Sequence, residues 1–218
     1  MKLTRLFLIR HGQSEKNAER RFGGHSATPL SPLGRKQALA TARALHKERI
    51  DVIFSSDLLR AVQTAEPLSE LINIPVNKKV AFRERDVGVL EGLTFEEASV
   101  KYPRDYQALM SRDFKYVITN GESYAQLLKR VRDELEKILK EYEGKNIAIF
   151  SHTGVICFTS LYLLGAINEH TTNTAWLVTS NCGICRFEFR GRENVRLLAF
   201  NDTRHLEKIT GNDAFTSA

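Results

Sequence analysis

The chain has 218 residues, of which 42% are hydrophobic and 27% charged, a composition typical of a folded globular protein that excludes disordered and fibrous classes. Its net charge of +6 comes from Lys and Arg residues scattered among acids. Because a nucleic-acid surface needs a basic stripe with exposed aromatic residues, we expect no nucleic-acid partner, whereas an anionic small molecule suits this balance. No apolar run approaches the roughly 18 residues of a membrane span, so we expect a cytoplasmic protein with no membrane partner.

Six segments are predicted to be strands from their apolar residues and their length. In chain order they are LFLI (6–9), DVIF (51–54), the stretch around VNKKVAF (76–82), NIAIF (146–150), GICRFEF (183–189) and VRLLAF (195–200). The last two are close together with no helix between them, which predicts a hairpin at one edge of the sheet.

Three amphipathic helices are predicted between the strands. The first begins at Ser31-Pro32, an N-cap followed by a proline at the first helical position, and its buried face carries Ala38, Ala42 and Leu45. The second is expected to begin at an N-cap on Ser56, with a buried stripe of Leu58, Ala61, Ala65, Leu68 and Leu71 or Ile72. The third has the clearest helical period, closes at Gly144, and buries Tyr124, Leu128, Val131, Leu135 and Ile138.

The alternation of strands and helices predicts a three-layer α/β/α fold with a mostly parallel central sheet, in a single domain over 1–218. The segment from about 92 to 120 contains Pro103 and has mixed polarity, so it fits these layers poorly. We expect it to form a small helical excursion over one end of the sheet. Residues from about 207 to 218 are expected to be a flexible tail.

Chemically active side chains follow four of the predicted strands at the point where each strand ends. They are Arg10 and His11 after the first, Ser55, Ser56, Asp57 and Arg60 after the second, Arg83 and Glu84 after the third, and Ser151 and His152 after the fourth. Each residue alone has an ordinary structural explanation, such as a hydrogen-bonded histidine or a solvated charge. Ligands of open α/β sheets bind outside the carboxyl ends of the strands, so the joint placement indicates one site.

Cys182 and Cys185 form a C-x-x-C pair, a spacing that also occurs at metal and redox sites. Both lie in CGICRFEF (182–189), which we interpret as a strand, where residues three apart point to opposite faces, and no second Cys or His pair is nearby. We interpret them as buried thiols of a reducing compartment, and we predict no metal and no cofactor.

Four motifs occur in order along the chain: R-H-G-x-S-x-x-N from Arg10 to Asn17, S-S-x-L-x-R from Ser55 to Arg60, R-E-R-D-x-G followed by E-G, and S-H at Ser151-His152. Together they resemble the histidine phosphatase superfamily, which has the phosphoglycerate-mutase-like fold. The resemblance runs from residue 3 to about His205, nearly the whole chain.

The resemblance implies a phosphomonoesterase that forms a phosphohistidine and needs no metal. His11 would be the nucleophile, Arg10 and Arg60 would bind the phosphoryl oxygens, His152 would stabilise the transition state, and Glu84 would serve as general acid and base. Further substrate contacts are expected from Gln13, Ser14, Asn17, Gly23, Gly24 and Thr153. For the two glycines, a plain turn is an equally good interpretation.

The sequence favours a phosphatase over its alternatives. Mutases of this family carry a longer insertion after the glutamate motif with a pair of neighbouring arginines, whereas Met110-Ser111-Arg112 offers only one arginine. A regulatory protein that binds phosphorylated ligands without turnover is a second alternative, and the intact set of five catalytic-type residues argues against it.

The substrate is expected to be a small phosphorylated metabolite whose identity the sequence leaves open. The roof of its pocket would come from the excursion and its residues Tyr102, Tyr106, Met110, Phe114 and Tyr116, unless these only pack the excursion itself. An exposed edge strand is compatible with a homodimer.

Overall fold

The computed structural model describes residues 2–168, 170–172, 174–191 and 194–209. Within these ranges six strands form one sheet: β1 (Leu3–Arg10), β2 (Val52–Ser56), β3 (Val76–Lys79), β4 (Asn146–Ser151), β5 (Ile184–Arg190) and β6 (Val195–Asp202). The α-helices are α1 (Glu15–Ala18), α2 (Pro32–His46), α3 (Leu59–Ile72), α4 (Phe95–Lys101), α5 (Pro103–Met110), α6 (Tyr124–Glu141) and α7 (Thr153–Leu163). No helix in these ranges is both long enough and apolar enough to cross a bilayer.

The strand order is β3-β2-β4-β1-β5-β6. The first four strands in this order are parallel, and β5 and β6 add an antiparallel hairpin at the edge beside β1. Strand β4 (from Asn146) therefore lies between β1 (to Arg10) and β2 (to Ser56), although it is distant from both along the chain. The predicted mostly parallel α/β sheet with an edge hairpin is confirmed.

Two apolar cores lie on opposite faces of the sheet. In β1, Phe7 and Ile9 pack in the core that includes α2 and α3, whereas Leu6 and Leu8 pack in the core that includes α6 and α7. This division follows from the period-2 alternation of a strand with both faces covered. Helix α6 is well defined at its start, where Ser123 and Gln126 form a reciprocal capping box.

Two of the predicted element boundaries are wrong. Helix α3 begins at Leu59 with Leu58 as its N-cap, while Ser56 ends β2. Its buried stripe ends at Ile72, which packs on the core, and Leu71 is 47% exposed. The third strand ends at Lys79: a regular strand to residue 82 would place Val80 and Phe82 on one face, yet Val80 is 62% exposed and Phe82 only 1%. The chain instead makes a 3₁₀ turn over Val80–Phe82.

The cysteine pair also lies differently from the prediction. Cys185 belongs to β5, but Cys182 precedes that strand in a turn, with a positive φ of 58°. Both thiols are free and buried, and burial raises the pKa of Cys182 to about 12 and that of Cys185 to about 11. Of the predicted tail, residues 210–218 lie outside the described residues.

The excursion over 92–120 contains α4 and α5 and contributes to the roof of a cavity beyond the carboxyl ends of the strands. Of the five residues expected to form this roof, Met110 lines the cavity. Phe114 is buried in the core, and Tyr106 and Tyr116 pack against it, so these side chains stabilise the excursion instead.

Candidate active site

The two histidines of the motifs meet because their strands are neighbours in register. Arg10, the last residue of β1, is paired with Ser151, the last residue of β4. His11 and His152 therefore leave the sheet side by side, and their ring centroids are 5.1 Å apart. The backbone N–H of His11 also donates to the carbonyl of Ser151 at 2.9 Å, which continues the ladder by one bond.

His11 is a buried neutral imidazole with a defined tautomer. Its Nδ1 lies 2.7 Å from the Gly12 carbonyl, which can only accept, so Nδ1 carries the proton. Its Nε2 lies 3.3 Å from Nε of Arg60, which can only donate, so Nε2 presents a lone pair. Burial, followed by the charges of Arg60 and Arg10, holds the pKa of His11 well below its usual value. An unprotonated nitrogen is what nucleophilic attack requires.

Two buried guanidinium groups flank this imidazole. Arg60, in the first turn of α3, is 3% exposed and donates to the carbonyls of Gly24 at 2.8 Å and Ser26 at 3.1 Å. Burial lowers its pKa to about 10, so it keeps its charge at neutral pH. Arg10 is 1% exposed and donates to the carbonyl of Thr179. The site thus has permanent positive charge with little water around it.

His152 lies entirely inside the protein. Its Nε2 is 2.9 Å from the Ser56 hydroxyl at the end of β2, and its Nδ1 has no hydrogen-bond partner among the described residues. Burial, and next the charge of Arg60, lowers the pKa of His152 well below its usual value. This ring is therefore also neutral.

The carboxylate of Glu84 is held by backbone N–H groups. Its Oε1 accepts from the N–H of Arg85 at 2.8 Å, and its Oε2 accepts from the N–H of Gly154 at 3.2 Å, in the first turn of α7. Position 154 must be glycine for this approach, because a Cβ there would overlap Oε1 of Glu84.

Arg10, His11, Arg60 and Glu84 border a cavity of about 230 Å³, whereas His152 lies behind them and is absent from the described lining residues. Ser14, Asn17, Gly23, Gly24 and Thr153 line the cavity together with Arg10, His11, Arg60 and Glu84. Gln13 was expected to join them, but it is absent from the described lining residues, and its Oε1 accepts a hydrogen bond from the Ser31 hydroxyl at 2.7 Å. This contact turns the side chain of Gln13 toward the start of α2.

The two glycines have different roles in their loop. Gly24 has a positive φ of 46°, and a Cβ there would overlap Oε2 of Glu91. That oxygen accepts from the backbone N–H groups of His25 and Ser26, at 2.7 and 3.1 Å. Gly23 has an ordinary φ, and a Cβ there would make ordinary contact with the Arg60 guanidinium, 3.7 Å from Nη2 and 3.8 Å from Cζ. Gly24 is therefore required by the turn that points a carbonyl at Arg60.

Sequence reasoning missed most of the outer cavity wall. Its remaining lining residues are Phe22, Arg85, Val87, Phe95, Leu109, Met110, Arg112, Tyr124, Trp176 and Val178. Arg85, the second arginine of the R-E-R-D-x-G motif, is only 2% exposed, with its guanidinium carbon 3.7 Å from the ring centroid of Tyr124. Trp176 lies in an irregular segment, which has no periodicity that would have indicated its position.

The segment before β5 was also missed. The side chain of Asn181 donates to the carbonyl of His11 at 3.0 Å, and the N–H of Cys182 donates to the carbonyl of Arg10 at 3.1 Å. This turn fixes the backbone that carries the first motif. The sequence indicated only that some neighbour must hold the R-H-G motif, and it did not show that this neighbour is the turn before β5.

Comparison with known proteins gives the family. The model of the histidine phosphatase superfamily (branch 1) matches residues 6–203, and this chain belongs to that superfamily. The resemblance inferred from the motifs is thereby confirmed.

Several of its relatives are named as phosphatases. Phosphoserine phosphatase 1 of Hydrogenobacter thermophilus is 36% identical over 151 residues, which are 69% of this chain and 72% of that protein. The metal-independent phosphoserine phosphatase of Arabidopsis thaliana is 38% identical over 157 residues, 71% of this chain and 66% of that protein. The native structure of mycobacterial glucosyl-3-phosphoglycerate phosphatase superposes with a TM-score of 0.81 at 28% identity, covering 93% of this chain and 100% of that one. The prediction of a phosphatase is confirmed.

Proposed function

We propose that this chain hydrolyses a small phosphomonoester through a phosphohistidine on His11 and without a metal ion. The observation that carries the proposal is the neutral His11 imidazole, whose Nε2 lone pair faces buried Arg60 at a cavity that Arg10 also lines. Such a nitrogen is a nucleophile, and the guanidinium forks bind phosphoryl oxygens.

In the first step, Nε2 of His11 attacks phosphorus while the bond from phosphorus to the leaving oxygen breaks. Glu84, protonated, gives its proton to that oxygen and becomes a carboxylate. The N–H groups of Arg85 and Gly154 hold the carboxylate in position. Charge that develops on the phosphoryl oxygens is stabilised by Arg10, Arg60 and His152.

In the second step, water attacks the phosphohistidine. Glu84 takes a proton from that water, the bond between phosphorus and Nε2 breaks, and inorganic phosphate leaves with His11 neutral again. Two fixed guanidinium charges supply the electrostatic stabilisation that a metal provides in other phosphatases, which supports a metal-independent reaction. A relative from Arabidopsis thaliana carries the same description in its name.

We propose further that the substrate carries a carboxylate near its phosphate. Arg85 lines the cavity, and its Nη1 is buried with no hydrogen-bond partner among the described residues. Arg112 lines the same wall, 5.7 Å from the ring of Trp176. Phosphoserine and glucosyl-3-phosphoglycerate, the substrates named for relatives, both have a carboxylate, so they are the first candidates.

The test is phosphate release from phosphoserine, glucosyl-3-phosphoglycerate, 3-phosphoglycerate and sugar phosphates, with EDTA present. The wild type should turn over a carboxylate-bearing substrate, and rapid quenching should trap an acid-labile, base-stable phosphoenzyme. His11→Ala should lose both the turnover and the phosphoenzyme while remaining folded. Binding without turnover would favour the regulatory alternative, and an isomerised product without free phosphate would favour a mutase.

A further inference from the structure

The backbone that carries Glu84 is held from behind by an ion pair outside the cavity lining. Arg130, on α6, and Glu122, just before α6, are joined by two hydrogen bonds: Nη2 to Oε1 at 2.5 Å and Nε to Oε2 at 3.1 Å. Their side chains are 24% and 15% exposed. This bidentate geometry is the strong form of an arginine–carboxylate pair.

The remaining N–H groups of Arg130 all donate to the backbone around Glu84. Nη1 donates to the carbonyls of Ala81 at 2.7 Å and Arg83 at 2.8 Å, and Nη2 donates to the carbonyl of Glu84 at 2.8 Å. With the two bonds to Glu122, all five donors of the guanidinium are used. No lysine could replace this arrangement, because an ammonium group has three donors on one atom.

Glu122 holds the other side of the same segment. Its Oε1 accepts from the N–H of Asp86 at 2.9 Å, and its backbone N–H donates to the carbonyl of Asp86 at 3.0 Å. The chain is thus fixed before, at and after residue 84. The Glu84 carbonyl also accepts a hydrogen bond from Nε2–H of His25 at 2.8 Å.

We propose that Arg130, together with Glu122, is a positioning residue for the general acid and base of this enzyme. The ion pair fixes the backbone of residues 81–86 so that the Glu84 carboxylate meets the leaving oxygen in the first step and the water in the second. The segment needs such a support because the strand has already ended at Lys79, and no sheet ladder holds residues 83–86. The inference rests on the proposed role of Glu84.

Leaving-group dependence separates positioning of an acid from general weakening of the fold. An alkyl phosphate such as phosphoserine needs a proton on its leaving oxygen, whereas 2,4-dinitrophenyl phosphate has a leaving group that departs without one. Misplacing the acid should therefore lower kcat/KM for the alkyl ester and spare the aryl ester, because kcat/KM reports the steps up to formation of the phosphohistidine.

The variants are Arg130→Gln, Glu122→Gln and Arg130→Lys, with Arg132→Gln as the matched control. Arg132 lies on the same helix and contacts Asp133. We expect kcat/KM for the alkyl ester to fall roughly 10- to 100-fold in Arg130→Gln, the scale of a displaced catalytic group, and to fall less than about threefold for the aryl ester. Arg132→Gln should match the wild type on both esters. Glu122→Gln keeps nearly the same side-chain volume as the wild type, so this variant tests the ion pair between Arg130 and Glu122 if Arg130→Gln does not fold.

Arg130→Lys distinguishes position from charge, since the charge of Arg130 also contributes to the lowered pKa of His152. We expect kcat/KM of Arg130→Lys to fall for the alkyl ester and not for the aryl ester, as in Arg130→Gln. Full recovery in Arg130→Lys, an equal loss on both esters, or no loss on either would overturn the inference. A wild type that neither releases phosphate nor forms a phosphoenzyme would instead refute the proposed function.

Discussion

Gly154→Ala should disable the enzyme without unfolding it. A Cβ at this position would overlap Oε1 of Glu84 and lie 3.4 Å from its Cδ and 3.6 Å from Cδ2 of Leu127. Leu127 limits movement of the new methyl group, so the Glu84 carboxylate must instead move away by about 1 Å to reach ordinary contact distance. Its hydrogen bond from the N–H of Gly154, now 3.2 Å, would then exceed the roughly 3.5 Å limit for such a bond.

A displacement of about 1 Å in a catalytic group costs roughly 100-fold in rate, equivalent to about 2.7 kcal/mol of transition-state stabilisation. We expect kcat/KM for the alkyl phosphate to fall by this factor. Stability should change little, because alanine in a helix gains about 0.5 to 1 kcal/mol over glycine, which offsets part of the lost hydrogen bond.

The assay is a double-mutant cycle with Glu84→Ala, read by phosphate release and by thermal unfolding. Once the carboxylate is absent, Gly154→Ala has nothing to displace, so the double variant should match Glu84→Ala within about threefold. If Gly154→Ala keeps full activity, or if it costs the same factor in the Glu84→Ala background, then position 154 does not act through Glu84.

The other predictions concern the pH dependence of stability and the glycine loop. Because the native pKa values of His11 and His152 lie well below the usual 6.5, the unfolded chain takes up protons first as the pH falls. The free energy of unfolding should therefore drop below about pH 6.5, by up to roughly 1.4 kcal/mol per pH unit for each ring. Urea unfolding at pH 7 and pH 5 measures the drop, which should be smaller in His11→Asn; an unchanged slope in that variant would contradict the reasoning. Gly24→Ala should lower the free energy of unfolding by about 1 to 2 kcal/mol, because the positive φ and the carboxylate of Glu91 both oppose a Cβ. Gly23→Ala in the same loop should cost much less, and equal losses in denaturant unfolding would show that the conformation of Gly24 is not the cause.

The route by which Glu84 reaches the site shows how a sequence prediction can be right for an incomplete reason. The strand pattern over 76–82 predicted that Glu84 leaves the sheet beside the other exits. The strand ends at Lys79, and Glu84 follows a 3₁₀ turn that Arg130 of helix α6 holds at the Ala81 carbonyl, while Glu122 holds the backbone at Asp86. Hydrophobic pattern cannot locate such a turn, because the backbone there is fixed by side chains distant along the chain.

The side chain of Gln13 points elsewhere than its place in the motif predicted. It lies within the motif between His11 and Ser14, and neighbouring residues of the motif line the cavity, so a ligand contact was expected. Its side chain bonds instead with Ser31 at the start of α2. Adjacent residues in an irregular loop point in different directions, and only packing decides which of them meets the cavity.

The sequence alone predicts the six strands, helices α2, α3 and α6, and the histidines, arginines and glutamate that follow the strands, because these properties depend on local periodicity and residue type. Helix α7 was not predicted. Tertiary packing places β4 between β1 and β2, which brings His152 beside His11. It also decided the tautomer of His11, the glycine contact at Glu84 and the burial of Arg85. These features arise from contacts between residues far apart in the chain, and their energies exist only once the sheet, the helices and the excursion have packed together.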